Sequence, residues 1–433
     1  MRRPFIAALA ALAVAGSPAL AQTTAPAAVT AIWAGRLLAA PGKPVETQRT
    51  ILVADGRITA VQPGYQAPSG ARVIDLTAMT VLPGLIDSHV HITSENGPTG
   101  RLDSVVKSDV DEAFDGALFA RRTLEAGFTT VADLGADAEA VFGLRDAIAA
   151  GKVAGPRIIA SGPAITPTGG HGDAQGYRAE VLDVLRSPMA CNGADDCRRA
   201  VRQAVQGGAD VIKITATGGV LSNIGAGLGQ QLTDAELTAI VETAHALGRR
   251  VTAHAHSKDG IEAALRAGVD SIEHGSYGDS DTFRLFRKTG AVLVPTVLAG
   301  VTVAEEAERP GTWMPAPVRA KARQVGPRML ETLRQAHLAG VRVAFGTDTG
   351  VSRHGDNARE LELMVQAGFT PEEALAAATV GAAQHLRLDT VIGELTPGKA
   401  ADIIAVNGDP LANISELRDV DFVMKGGTVF KSR

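Results

Sequence analysis

The sequence predicts an α/β protein, a (β/α)8 barrel flanked by a small β domain to which both ends of the chain contribute. Two observations carry this prediction. Eight short apolar segments alternate with helical patterns through the middle of the 433-residue chain, as strands and helices do in such a barrel. Before and after them, short apolar runs are broken by Gly, Pro and Asp, which is typical of turns between neighbouring strands.

The first 21 residues predict a signal peptide. Arg2 and Arg3 precede an apolar run at 5–15, and small residues at 19–21 stand where a signal peptidase cleaves. The run is too short to span a bilayer comfortably, and a buried helix or an anchor is the alternative. We therefore expect export to the periplasm or medium, with cleavage after Ala21. No later segment reaches the roughly 20 uninterrupted apolar residues of a membrane helix, so no span is expected in the mature chain.

Two β-rich stretches, 29–80 and 389–433, are predicted to form one small domain. Asp55 and Gly56 separate two apolar runs and predict a two-residue hairpin turn. The C-terminal stretch has the same texture, with a second Gly-Gly turn at 426–427. Because the ends of a chain often lie close together, the two stretches are expected to join.

Residues 81–388 are predicted to form the barrel. Its candidate strands lie at 81–91, 129–134, 157–161, 210–215, 250–254, 271–274, 292–296 and 342–347. The helical patterns between them include 233–247, which opens with the capping-box sequence TDAE, 258–267 and 316–339. In such barrels the functional side chains stand at the carboxyl ends of the strands.

The composition excludes some partners. Lys and Arg number 42 against 47 Asp and Glu, a net charge of −5, and no basic run follows the extreme N-terminus. Nucleic acid and anionic membrane surfaces are therefore not expected partners. Cys191 and Cys197 are separated by an acidic loop, which in an exported protein permits a local disulfide; two free thiols are the alternative.

Histidines end several of the predicted strands. His89 and His91 end the first strand, and their i, i+2 spacing points both imidazoles to the same side, which favours a metal site over a single satisfied histidine. The other candidates on the same rim are Lys213 in the fourth strand, His254 at the end of the fifth, His274 at the end of the sixth and Asp348 after the eighth. Six nitrogen or oxygen side chains on one rim are poorly explained by coincidence.

Lys213 stands in GADVIKIT, a run whose β-branched residues predict a strand buried on both faces. An ammonium there costs several kcal/mol unless it is paired or chemically changed. An ion pair with Asp87 or Asp348 is one explanation.

The motifs GLIDSHVH, GFTTVADLG, GADVIKI, VTAHAHS, SIEHGS, GTDTG and PGKAADIIAV resemble those of the amidohydrolase superfamily, in order and spacing, over nearly the whole mature chain. Within it the chain resembles the imidazolonepropionase-like and Xaa-amino-acid dipeptidase branch, which includes prolidase-like exported peptidases and an ochratoxin-degrading amidase. The resemblance implies a distorted TIM barrel with a β-sandwich made from both termini. It also implies two divalent metals, usually zinc: one held by His89, His91 and Asp348, the other by His254 and His274, with carboxylated Lys213 bridging them.

The resemblance further implies hydrolysis of an amide or peptide bond next to a free carboxylate, in a dipeptide or an N-acyl amino acid. Metal-bridged hydroxide attacks the carbonyl, and Asp348 passes the proton to the leaving amine. Relatives that cut dipeptides often have a tyrosine where this chain has Leu232, which leaves room for bulkier, ochratoxin-like amides. A cyclic amide or lactone hydrolase with the same site is the alternative, and a binding protein without turnover is a third reading. Association into a homo-oligomer is common in this group.

Candidates for contact with the small-molecule or dipeptide substrate follow from their places beyond the strands: His171, Tyr177, His256, Arg353 and His354. A solvated surface position is the alternative for His256 and for Arg353. Three further histidines in or after helical segments are expected to be solvated or capping: His245, His337 and His385.

Overall fold

The computed structural model describes residues 29–223 and 227–433, so the predicted signal peptide lies outside the described residues. The strands are β1 (Thr30–Leu37), β2 (Glu46–Ala54), β3 (Arg57–Pro63), β4 (Arg72–Pro83), β5 (Leu85–Val90), β6 (Phe128–Asp133), β7 (Arg157–Ala160), β8 (Val211–Thr215), β9 (Arg250–Ala255), β10 (Ser271–His274), β11 (Val292–Val294), β12 (Ile403–Val406), β13 (Phe422–Lys425) and β14 (Thr428–Ser432).

The α-helices are α1 (Gly100–Val106), α2 (Asp109–Glu125), α3 (Ala138–Ala149), α4 (Ala179–Leu185), α5 (Ala194–Gly207), α6 (Asp234–Ala246), α7 (Lys258–Ala267), α8 (Ser280–Thr289), α9 (Val297–Glu308), α10 (Ala316–Leu338), α11 (Arg359–Gln366), α12 (Pro371–Ala376) and α13 (Ala382–His385). A π-helical turn (Ala377–Gly381) joins the last two, and a 3-10 helix (Ile414–Arg418) precedes β13. None of these helices, within the described ranges, combines the length and the apolar character that a membrane crossing requires.

Strands from both ends of the chain form one sheet. Its seven strands are hydrogen-bonded in the order β14-β13-β12-β4-β1-β2-β3, so the predicted β-sandwich strands belong to a single sheet. Both predicted turns are confirmed: Asp55 and Gly56 connect β2 to β3, and residues 426–427 connect β13 to β14. Aliphatic and aromatic side chains from both ends fill its core, among them Ile32, Ile51, Leu76, Ile403 and Phe422. The chain passes from this sheet to the barrel at Gly84, between β4 and β5.

The parallel strands of the barrel form two sheets, β5-β6-β7 and β8-β9-β10-β11. Isolated bridges connect the sheets where regular pairing stops, among them Ile165 with Ile214 and Leu293 with Val343. The predicted barrel-like α/β class with a separate β domain is confirmed, although the ring of regular strands is not closed.

The predicted eighth strand, 342–347, is wrong as a regular strand, but the segment occupies the expected place. Phe345 O accepts from Ser88 N (2.9 Å), and Arg342 O accepts from Leu293 N (2.9 Å), so the segment lies between β5 and β11. Gly346 interrupts the ladder at a close approach, since a Cβ there would lie 2.3 Å from Val294 Cγ1. The segment still delivers Asp348 to the barrel mouth.

Two local predictions are confirmed. Helix α6 begins with a capping box, in which Glu236 Oε2 accepts from Thr233 N (2.8 Å) and Thr233 Oγ1 accepts from Glu236 N (3.3 Å). Cys191 and Cys197 form a disulfide, with Cα atoms 5.0 Å apart, and both are fully buried. The bridge fastens Cys191 to the first turn of α5, and the neighbouring Ala190 pairs with Thr166, beyond the end of β7.

Candidate metal centre

A cavity of about 480 Å³ lies at the carboxyl ends of the barrel strands. It is lined by all six side chains that the sequence analysis placed on this rim: His89, His91, Lys213, His254, His274 and Asp348. Another part of its wall is apolar and comes from the loop after β8 and from α9 and α10: Val220, Leu221, Ala299, Val303, Val325 and Met329. A mixed cavity of this size accommodates a dipeptide or a drug-sized molecule.

Three donors form what we call the first cluster: His89, His91 and Asp348. Asp348 Oδ1 lies 3.0 Å from His91 Nε2 and 3.4 Å from His89 Nε2. It is buried and has no partner with hydrogen-bond geometry in the described part of the chain. Burial raises the pKa of Asp348, but the two imidazoles and the charge of Lys213 outweigh burial and lower that pKa, which keeps the carboxylate ionised.

The ring nitrogens of this cluster that face away from the cavity are held by acceptors. His89 Nδ1 lies 2.8 Å from Glu273 Oε2, and His91 Nδ1 lies 2.7 Å from Gly135 O. Because a carbonyl cannot donate and a carboxylate accepts, each Nδ1 carries a proton, and the Nε2 of each ring faces Asp348.

Three imidazoles form the second cluster: His254, His256 and His274. His274 Nδ1 donates to Thr296 Oγ1 (2.6 Å), whose own proton goes to Pro295 O. His254 Nε2 lies 3.3 Å from Gly218 O, which leaves Nδ1 of that ring unprotonated. Burial lowers the pKa of His254 and of His274 well below the usual imidazole value, so both are neutral.

His256 belongs to this cluster, although the sequence predicted it only as a candidate for contact with substrate. It is buried, and its Nδ1 lies 2.7 Å from Ser276 Oγ. Its ring centroid is 4.7 Å from that of His254.

Lys213 is buried, with only 4% of its surface exposed, and its Nζ lies 3.3 Å from His89 Nε2. Burial lowers the pKa of its amine. No ion pair within 4.0 Å involves Lys213 in residues 29–223 and 227–433, so neither alternative partner, Asp87 or Asp348, neutralises it. Asp87 is occupied elsewhere, since it accepts from Thr347 Oγ1 (2.6 Å) and from Asn357 Nδ2 (2.8 Å), and burial raises its pKa to about 7.

Three residues at this rim have left-handed backbone conformations: His274 (φ 72°), Thr296 (φ 49°) and Asp348 (φ 58°). Such conformations cost of order 1–3 kcal/mol each in a residue other than Gly, most clearly in β-branched Thr296. They lie where β10, β11 and the segment 342–347 leave the barrel. The surrounding packing therefore maintains strain at the positions that aim the ligands.

Sequence reasoning missed Glu273. It is fully buried, it holds His89, and its Oε1 accepts from Ser271 Oγ (3.1 Å) and from Thr252 Oγ1. A signal was available, because a carboxylate inside the four-residue strand SIEH raises the same question as the lysine in VIKIT.

His171 also lines the cavity. Its Nδ1 lies 2.8 Å from Ser222 Oγ, and its ring covers Gly219, where a Cβ would come within 2.1 Å of the ring. Lys321 of α10, which the sequence analysis did not single out, donates to Gly219 O (2.8 Å) and to Ser222 O (2.7 Å). A buried ammonium thus holds the loop that positions this imidazole.

The structure does not bring the remaining substrate candidates to the cavity. Tyr177 lies under the guanidinium of Arg101, 4.1 Å from its ring centroid, and Arg353 is exposed. His354 turns away, with Nε2 donating to Ser94 O (2.9 Å). Leu232 is buried in the hydrophobic core and is not among the residues that line the cavity.

One of the three histidines expected to be solvated or capping is neither. His385 is buried and lies 3.0 Å from Arg250 Nη2, because α13 packs against the barrel. His245 is partly exposed and pairs with Asp270, and His337 stacks on Phe369.

The donor set fits divalent cations. Imidazole nitrogens and an ionised carboxylate oxygen converge, and the distal ring nitrogens of His89, His91 and His274 are already satisfied. A divalent cation would satisfy the donor atoms that face the cavity.

A barrel-like fold with imidazole and carboxylate donors at the strand ends defines a metal-binding hydrolase. The chain belongs to the amidohydrolase family, whose model matches residues 80–430, and it is therefore a hydrolase acting on C–N bonds. It is 33% identical to the ochratoxinase of Aspergillus niger over 444 residues, which cover 96% of this chain and 89% of that protein.

Two solved structures have the same fold over nearly the whole chain. A Xaa-Pro dipeptidase with methionine bound in its active site has 38% identity and a TM-score of 0.89, with 94% of this chain and 100% of that chain covered. A prolidase complexed with N-methylphosphonate-L-proline has 31% identity and a TM-score of 0.84, with the same coverage. The predicted resemblance is confirmed.

Proposed function

We propose that this protein is an exported, binuclear metal-dependent amidohydrolase that cleaves an amide or peptide bond next to a free carboxylate. The observation that carries the proposal is the pair of donor clusters in one cavity, which a buried lysine also lines.

The first cluster would hold one cation, and His254 and His274 would hold the other. Zinc suits this set, since it favours imidazole nitrogen and carboxylate oxygen. When bound, the two cations supply Lewis acidity, which lowers the pKa of water and polarises the amide carbonyl.

Lys213 is proposed to be carboxylated. Its neutral amine attacks the carbon of CO2, a C–N bond forms, one N–H proton leaves to solvent, and the product is a carbamate anion. Support comes from its burial, from the absence of an ion-pair partner in the described ranges, and from the imidazole 3.3 Å away. An anion with two oxygens suits a place between two cations, whereas an ammonium does not.

Asp348 is proposed to move the proton. Its Oδ1 has no hydrogen-bond partner in the described residues, so this oxygen can take a proton from the attacking water and return it to the leaving amine. The left-handed backbone at this position aims the carboxylate into the cavity.

The substrate is proposed to be a dipeptide or an N-acyl amino acid. The apolar wall that includes Val303 and Met329 suits a bulky acyl or side-chain group. Two relatives support a free carboxylate on the substrate. One is an ochratoxinase, and the other is a prolidase complexed with N-methylphosphonate-L-proline. None of the described residues lining the cavity is an arginine, so the imidazole of His171 is the proposed donor to the carboxylate.

A hydrolysis screen of the metal-reconstituted enzyme tests this function. Dipeptides, N-acyl amino acids, cyclic amides and lactones are incubated in parallel with wild type and Asp348→Asn, and products are identified by mass spectrometry. Release of a free C-terminal amino acid by wild type alone is expected. Turnover of cyclic amides or lactones only, or turnover by both proteins, would refute the proposal.

Export is proposed on two observations, the signal-like N-terminus and the disulfide, which forms in oxidising compartments. N-terminal sequencing of protein expressed with its own leader should begin at Gln22. Protein that stays inside the cell with its leader still attached would contradict export.

A further inference from the structure

Half of the large exposed hydrophobic side chains in the described residues lie within one short region, helices α1 and α2. They are Leu102, Val105, Val106, Val110, Phe114 and Leu118. Phe114 is 74% exposed and Leu118 49% exposed, although the opposite side of α2 is buried against the protein. Such a concentration on a folded surface indicates a docking site.

The outer face of α2 has a pattern that is complementary to itself. Asp111, Phe114, Leu118 and Arg121 follow one another at i, i+3, i+7 and i+10, so they form one stripe along the helix. Read along the chain, the stripe is acidic, apolar, apolar, basic. Read in the opposite direction, each charge meets its opposite and each apolar residue meets an apolar residue.

We infer that α2 is an interface between two copies of this chain, packed antiparallel about a twofold axis between Phe114 and Leu118. In this register Phe114 of one copy contacts Leu118 of the other, and Asp111 faces Arg121 at both ends of the contact. A twofold interface needs this self-complementarity, because the same patch serves both partners.

A membrane surface is the less favourable occupant. Four carboxylates line the first half of the helix, on Asp109, Asp111, Glu112 and Asp115, and anionic headgroups would repel them. Arg121 already donates to Glu125 (2.8 Å), so its guanidinium is held on the exposed face, where a second copy would meet it.

The apolar part of the contact is tested by analytical ultracentrifugation, which measures the dissociation constant of the two copies. Wild type should dissociate on dilution, and Phe114→Gln should raise the dissociation constant of the twofold contact at least about tenfold. Val184→Gln is the matched control, since Val184 is 82% exposed on α4, outside this patch. A wild type that is monomeric at every concentration, or a Phe114→Gln protein that associates like wild type, would overturn the inference.

Charge reversal tests the register itself. Arg121→Glu alone places two acids opposite each other, and Asp111→Lys alone places two bases opposite each other, so each should weaken association. An equimolar mixture of the two variants restores both opposite-charge pairs and should associate like wild type. Because Asp111 also completes the capping box of α2 with Ser108, thermal unfolding of each variant is measured as well. Failure of two folded variants to complement each other would overturn the antiparallel register.

Discussion

The two donor clusters at the barrel mouth differ in charge. The first cluster contains the carboxylate of Asp348. A second carboxylate, that of Glu273, holds His89, one of the two imidazoles of this cluster. The second cluster consists of three imidazoles held by hydroxyl groups and by the carbonyl of Gly218. A cation at the first cluster finds negative charge among its own ligands, whereas a cation at the second finds none.

The carbamate proposed at Lys213 would offset this difference in charge. Lys213 lines the same cavity as both clusters, and its charge contributes to the lowered pKa of His89 in the first cluster and of His254 and His274 in the second. As an ammonium it would oppose cation binding at either cluster. As a carbamate it would supply the second cluster with the negative charge that its own side chains lack.

The largest expected effect comes from removing this group. Lys213→Ala should lose the cation of the second cluster first, because the first keeps Asp348, and activity should fall below detection. Metal content by elemental analysis after desalting is the measurement, and added propionate should partly restore binding by replacing the carbamate. Lys321→Ala is the matched control, since Lys321 is also buried but its ammonium donates to the loop carbonyls of Gly219 and Ser222. If Lys213→Ala retained two metals, the second cluster would not depend on Lys213 for negative charge, and the proposed difference between the clusters would be wrong.

Asp348→Asn tests the carboxylate of the first cluster. Asparagine tolerates the left-handed backbone of this position, so the fold should persist. Its amide cannot accept the proton, and kcat should fall by roughly 10²–10⁴-fold. Steady-state kinetics and metal content are measured together, and wild-type turnover would disprove the role of Asp348.

The strand-end ligands were predictable because spacing along a strand fixes which way a side chain points. His89 and His91 are two residues apart, and parallel strands end on one rim, so their meeting with His254 and His274 follows without knowledge of the helices. Glu273 escaped because its role depends on a contact across the barrel, 184 residues along the chain from His89. His354 was misplaced because it follows Asp348 closely in sequence, whereas the chain turns at Gly350 (φ 115°) and directs it to Ser94.

The anchors of the two clusters should differ in strength. Glu273→Gln removes the negative charge behind His89, and zinc affinity at the first cluster should fall by roughly 10–100-fold. Thr296→Val removes the neutral acceptor of His274 while keeping a β-branched residue at the strained position, so a smaller loss is expected at the second cluster. Competition with a chelating fluorophore measures both sites. Equal losses would show that anchor charge does not distinguish the clusters.

The smallest expected effect concerns the loop that holds the substrate-side imidazole of His171 in place. Lys321→Met removes two hydrogen bonds, to Gly219 O and Ser222 O, and Ser222 Oγ in turn holds His171. Because Lys321 lines neither cluster, metal content and kcat should stay near wild type, while KM should rise several-fold as His171 loses its fixed orientation. Lys321→Arg, which retains the charge and the donors, should restore most of the lost affinity. A fall in kcat with KM unchanged would mean that this loop serves the metal centre. His171 would then belong with the metal-binding histidines and not with the substrate-binding ones.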